Sequence, residues 1–131
     1  MPVLPWSRIL HWLDTGVEFD PHEAIQWLPF LVRKGGPLSF GLPVEDDAMC
    51  SEDPYSYPPE SMIFVDPDQA LQVKRTDRVL ALLSDRETLC FRQLGRRGSQ
   101  RVLEAMNPAH PVITGPFRVV GKVVARLVSD T

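Results

Sequence analysis

Phe117-Arg118-Val119-Val120-Gly121-Lys122-Val123-Val124-Ala125-Arg126-Leu127-Val128 is a long, strongly β-branched run with neither proline nor a turn cluster inside it. Branched side chains suit the pleated, half-buried surface of a sheet better than a helix, so this run reads as a strand. Working back toward the amino terminus, shorter aliphatic runs read the same way: Leu38 to Val44, Met62 to Asp66, Arg78 to Leu83, Thr88 to Leu94 and Arg101 to Ala105. Thirteen prolines and eight glycines cut the chain into short pieces, which favours many strands over a helical bundle. The fold class expected is mainly β. One short helix is expected near residues 21–28, where Asp20 can cap, Pro21 suits the first helical position and Glu23 can reach back to the cap. Between Cys50 and Met62, Ser-Glu-Asp-Pro-Tyr-Ser-Tyr-Pro-Pro-Glu-Ser cannot continue a ladder and reads as a surface loop.

Size and composition bound the function. A chain of 131 residues suits one domain, spanning 1–131, large enough to bury a core. A net charge of -3 argues against binding nucleic acid through the overall field, and no direct nucleic-acid contact is expected. No apolar run reaches the roughly 20 residues that span a bilayer, and no secretory signal is visible, so a cytoplasmic protein without membrane contact is expected. Cys50 and Cys90 are too few for a disulfide framework and lack metal spacing, which predicts free thiols. His11, His22 and His110 share no motif. Neither a metal nor a cofactor is expected.

Five segments in order carry more specific information. They are Val44-Glu45-Asp46-Asp47-Ala48-Met49, Met62-Ile63-Phe64-Val65-Asp66-Pro67, Glu87-Thr88-Leu89-Cys90-Phe91-Arg92-Gln93-Leu94, Asn107-Pro108-Ala109-His110-Pro111-Val112-Ile113 and Val119-Val120-Gly121-Lys122-Val123-Val124. Together they resemble the self-cleaving repressor family that includes LexA, phage repressors and UmuD. In that family the segments read as a Gly-Asp/Asn-Ser-Met turn, a Val-Asp-Pro strand, a Thr-Phe-Lys-Arg/Lys-Leu strand, an Asn-Pro-x-Tyr-Pro-x-Ile turn and an Ile-Ile-Gly-Val-Val strand. The resemblance covers nearly the whole chain. It implies the curved antiparallel sheets of the LexA and signal-peptidase fold, with 38–128 as the β core and 1–14 as the equivalent of the linker and cleavage segment.

The resemblance also locates a chemistry. In the family a serine attacks a peptide bond of its own chain and a lysine takes the serine's proton; a hydroxyl needs such a base, and lysine serves only when burial lowers its pKa. Here the serine position reads Ala48, which has no nucleophilic atom, and the lysine position reads Arg92, which keeps its proton at physiological pH. The former scissile pair, small in the family, falls on Ile9 and Leu10. A single change at Ala48 could be an engineered trap, whereas three changes together look like natural decay or repurposing. Other departures are Asp46 for the glycine before the serine, and Glu60-Ser61 and Arg75-Thr76-Asp77 at turns where the family has glycine. Glycine there supplies positive φ, so an altered turn geometry is expected.

Read individually, Ala48 is also a plain buried turn residue and Arg92 a plain exposed strand arginine. By alternation Arg92 shares a face with Cys90, and if the family fold holds, it looks into the former cleft, where it can pair with Glu45, Asp46 or Asp47. Cys50 is a conceivable substitute nucleophile, but nothing in the sequence brings a histidine to it. Trp6, Trp12 and Trp27 are expected to anchor the amino-terminal segment to the core. Arg96-Arg97-Gly98-Ser99-Gln100-Arg101 is a basic hairpin tip and Lys74-Arg75 lies near another turn; such groups can touch phosphate, a weaker third reading that the acidic balance speaks against, and basic turns are more often solvated. Phe117, Val119, Val120, Val123 and Val124 fall in the region through which family members dimerise; near an edge such a strand invites pairing with its copy, and it can equally be an interior strand.

The function expected is non-catalytic: a peptidase-like domain acting in transcriptional regulation, in a damage or prophage response, through homodimerisation or binding to a repressor or RecA-type protein. The start at Met1 favours a free-standing protein. One alternative is the carboxy-terminal dimerisation domain of a non-cleavable repressor. Another is an enzyme with a repurposed cleft using Cys50 and Cys90.

Overall fold

A computed structural model describes residues 2–15, 26–27, 39–51, 56–85 and 88–127. The chain runs through β1 (Pro2–Val3), α1 (Trp6–Thr15), β2 (Gln26–Trp27), β3 (Phe40–Pro43), β4 (Met62–Asp66), a 3-10 turn (Pro67–Gln72), β5 (Arg78–Leu83), β6 (Leu89–Arg97), β7 (Gln100–Glu104) and β8 (Phe117–Leu127). The strands form one sheet in the order β2-β1-β3-β4-β8-β5-β6-β7. Every pairing is antiparallel except that of β1 with β3. The mainly β expectation holds, and the limits of β4 and β5 coincide with the runs read from sequence.

β8 is the keel of the sheet. It pairs with β4 on one side and β5 on the other, and its register skips Val124 against β4 and Val120 against β5. Each extra residue is a β-bulge, which bends its strand and raises the local twist. Gly121 lies between the bulges, opposite Leu80 and against the chain at Asp66; a Cβ there would stand 2.6 Å from Val65 Cγ1 and 3.1 Å from the Asp66 carbonyl oxygen. Both edges of β8 are paired, so of the two placements open in the sequence the strand of Phe117, Val119, Val120, Val123 and Val124 takes the interior one. Val120 and Val123 are buried in the core.

The alternation of β5 divides the interior. Leu80 and Leu82 join Phe40, Leu42, Ile63, Val65, Phe91, Val120, Val123 and Ile9 in the larger cluster. Val79 and Ala81 pack with Cys90, Leu94 and Leu103 in a second cluster on the other face. A strand covered on both sides needs a continuous apolar run, and Val79-Leu80-Ala81-Leu82 is one.

The amino-terminal region departs from its sequence reading. Residues 1–14 were expected to be a linker, yet Trp6–Thr15 is an α-helix. Trp6, Ile9, Leu10 and Leu13 recur at helical spacing, and this stripe packs on the larger cluster, with Ile9 fully buried. Trp6 donates from its indole nitrogen to the Pro43 carbonyl at 2.7 Å, and Trp12 meets Phe40 edge-on at 6.3 Å, so both anchor the segment as expected. Of the helix expected near 21–28, Gln26–Trp27 is instead a strand paired with β1, because the backbone of Pro2–Val3 offers it a ladder. The remaining residues of that expected helix, with Asp20, lie outside the described residues, as does the side chain of Trp27.

Two turns keep a geometry their residues disfavour. Glu60 has φ 73° and Thr76 φ 77°, where altered turns were expected for want of glycine. Tertiary hydrogen bonds hold them: the Glu60 amide donates to Val44 O at 3.2 Å, and the Thr76 amide to Leu94 O at 2.8 Å. For a β-branched residue such as Thr76 the left-handed region costs about 1–3 kcal/mol. The β6 to β7 hairpin needs no such sacrifice, since Gly98 at φ 64° opens its loop.

Candidate functional site

The turn after β3 brings the expected site residues into one place. Asp46 accepts a hydrogen bond from the Ala48 amide at 3.1 Å, a local turn that aspartate forms with its own backbone. Ala48 and Met49 are fully buried. The turn is clamped from the Asn107 to His110 segment: the Asn107 amide donates to Ala48 O at 2.9 Å, and its side-chain amide to Asp47 O at 3.2 Å and Asp47 Oδ2 at 3.3 Å. His110 Nε2 lies 2.6 Å from Asp47 Oδ1. A further backbone bond, from the Tyr57 amide to Met49 O at 2.8 Å, holds the other side. Sequence reasoning gave the histidines only solvated or capping roles; the partner of His110 lies 63 positions away and carries no local signal.

Arg92 reaches the same turn from β6. Its Nη1 lies 3.7 Å from Asp46 Oδ2, and its side chain is only 11% exposed. The expected pairing with a carboxylate of this turn is therefore made with Asp46, and the solvated reading of Arg92 is corrected. Arg92 also donates to the Phe91 carbonyl at 2.8 Å, while its Nε is buried without a hydrogen-bond partner. A cavity of about 70 Å³ beside the turn is lined by Trp6, Val44, Glu45, Asp46, Leu89, Cys90 and Phe91. Trp6 of α1 thus stands at the pocket where Cys90 and the Asp46 turn meet. Burial pushes the Cys90 thiol above its ordinary pKa, although the nearby Arg92 charge opposes this. A protonated thiol is a poor nucleophile. Cys50 is a free thiol, half-buried, and its amide donates to Asp47 O at 3.0 Å.

Ile9 and Leu10 are not presented to this turn as an extended segment. They lie within α1, where each peptide is engaged in helical structure, and Ile9 is a core residue. Among the described residues no group of three or more His, Cys, Asp or Glu is placed to hold a metal ion, and no helix is long and apolar enough to cross a membrane.

The turn beside β3, the β6 arginine and the Asn-Pro turn converge in the order that the sequence resemblance implied, and comparison with known proteins agrees. A Peptidase S24-like family model matches residues 12–124. The chain belongs to the Peptidase S24-like family. It is 31% identical over 128 residues to the prophage repressor CohE of Escherichia coli (strain K12), covering 95% of this chain and 54% of that protein. It is 30% identical over 128 residues to the HTH-type transcriptional regulators for conjugative elements R391 of Providencia rettgeri and SXT of Vibrio cholerae, covering 94% of this chain and 57% of each. The chain spans about half the length of the curated relatives it matches. Since those Peptidase S24-like relatives are regulators of transcription, the expectation of no direct nucleic-acid contact finds no support in them.

The Asp47 and His110 pair makes the clamp sensitive to acid. The hydrogen bond from His110 holds the Asp47 carboxyl below its usual range, opposed by slight desolvation. A depressed carboxylate stabilises the folded state above its unfolded pKa and loses that contribution as pH falls through the folded value. With Asp47 59% exposed, solvent screens the effect. In His110→Ala, acid unfolding should therefore begin at higher pH than in the parent protein. Thermal melts from about pH 3 to about pH 6 check this, and superimposable profiles would contradict the clamp.

Proposed function

We propose that this chain is a non-catalytic Peptidase S24-like domain whose role is regulatory binding. The observation that carries the reading is the Arg92 to Asp46 contact at 3.7 Å beside a turn whose nucleophile position is Ala48. A guanidinium cannot accept a proton at physiological pH, and alanine has none to give, so the pair holds a turn together and activates nothing. Ile9, buried on a helix, and Leu10, half-buried beside it, also suit a structural part better than that of a substrate bond. The names of the relatives support a place in transcriptional regulation, in a prophage or damage response, with homodimerisation or a repressor or RecA-type protein as the binding event. The match to 54–57% of the relatives' length favours a second form of this reading, the carboxy-terminal dimerisation part of a non-cleavable regulator. Thiol chemistry at Cys50 gains little: His110 is committed to Asp47, and Cys90 is held protonated.

Incubation at alkaline pH, which promotes cleavage in active relatives by deprotonating their lysine, should leave this 14.8 kDa chain whole by intact mass. Fragments cut near Ile9 would overturn the reading. Sedimentation velocity should show self-association or, on mixing with a full-length regulator, a complex. A monomer that binds neither would remove the binding role.

A further inference from the structure

The β6 to β7 hairpin carries a charge arrangement that the site above does not use. Arg96 and Arg101 are directly opposite each other across the ladder, and like charges so placed repel. With Arg75 they line one concavity of about 300 Å³, floored by Val73, Leu94 and Gly95. Arg97 follows Arg96 at the exposed tip. Among the described residues none of these four guanidinium groups has a carboxylate within 4.0 Å. The nearest acidic groups are otherwise disposed. Asp77 accepts from the Lys74 amide at 2.8 Å and pairs with Lys122 at 3.7 Å. Glu104 stands on the opposite face of the hairpin, its side chain over Gly95. Asp68 borders the adjoining groove that Arg101 also lines.

We propose that Arg75, Arg96 and Arg101 form a contact for the phosphate backbone of duplex DNA. Uncompensated, forked guanidinium groups match phosphate geometry, and clustering supplies locally the positive field that a net charge of -3 denies the whole protein. Arg101 sits 5.4 Å over the Phe117 ring, which orients its fork. The concavity lined by Arg75, Arg96 and Arg101 has no aromatic among its lining residues on which a base could stack, so the backbone of a duplex fits it better than a single strand. The choice of DNA over an acidic peptide rests on the reading of this chain as a regulator domain, tethered near a DNA-reading partner.

Fluorescence anisotropy of the full chain with a labelled duplex of random sequence tests the contact. Affinity should fall with salt at a log–log slope of about -3, as expected for roughly three neutralised phosphates. The double variant R96E/R101E should bind at least about tenfold more weakly, with a melting temperature within about 5 °C of the parent's, the Arg101 contact with Phe117 being lost. The inference is overturned if the duplex is not bound at low salt, if the double variant binds equally, or if polyglutamate competes as well as unlabelled duplex. Should any of these occur while the chain resists alkaline cleavage and self-associates, the contact falls and the regulatory reading stands.

Discussion

Phe91→Ala should lower the free energy of unfolding by about 3–5 kcal/mol, the range for deleting a buried phenylalanine. Phe91 is 4% exposed and sits where the core meets the site. Its ring meets Tyr57 edge-on at 4.8 Å, and the Tyr57 amide in turn holds Met49 O beside Ala48. Phe91 also precedes Arg92 on β6, so a void here removes packing under the turn and the arginine together. Arg126 stacks over the Tyr57 ring at 5.6 Å and donates to Ser56 O, which limits how far Tyr57 can move to fill the space. For a domain of this size the loss corresponds to a melting temperature lower by on the order of 10–20 °C. Urea unfolding monitored by tryptophan fluorescence gives the value; a loss below about 1.5 kcal/mol would mean that the cluster collapses freely around the deletion.

Gly121→Val should be comparably damaging for the opposite reason, at about 3 kcal/mol or more, the upper end of overpacking. The clash is with Val65 on β4 and with the backbone of Asp66, and neither can swing aside as a flexible side chain would. Val65 is fully buried. Gly95 is the internal control. A Cβ there would meet the Glu104 carboxylate, but that is the far end of a flexible side chain that can rotate away. Gly95→Ala should therefore cost under about 1 kcal/mol. Equal losses for the two variants, measured by thermal denaturation, would refute the account of Gly121 as the point where β8 is pressed against the β4 end.

The strands were legible because their residues carry a local signal. Met62–Asp66 and Arg78–Leu83 are aliphatic, bounded by turn residues, and their limits can be read without any partner. The β6 to β7 hairpin was equally plain, with Gly98 in its loop. The helix at Trp6–Thr15 was legible too, in the spacing of Trp6, Ile9, Leu10 and Leu13, but the resemblance of that stretch to a cleavage segment drew attention away from its period. Gln26–Trp27 falls in the stretch whose local signals read as helix, yet it pairs with β1, a partner that no signal in its own segment marks.

At the site, the amino-acid sequence by itself determined which groups are available: Ala48 without a hydroxyl, Arg92 without a removable proton, and Asp46 and Asp47 beside them. These are properties of covalent structure, and no fold can alter them. Tertiary structure alone decided how they are used. It chose Asp46 over Glu45 and Asp47 as the partner of Arg92, joined His110 to Asp47, and held Glu60 and Thr76 at positive φ without glycine. It also set β8 between β4 and β5, so the most strand-like run of the chain became the middle of the sheet and not its edge. Contacts between residues dozens of positions apart are settled by which surfaces remain to be covered when the sheet closes, and that competition leaves no mark on any one segment.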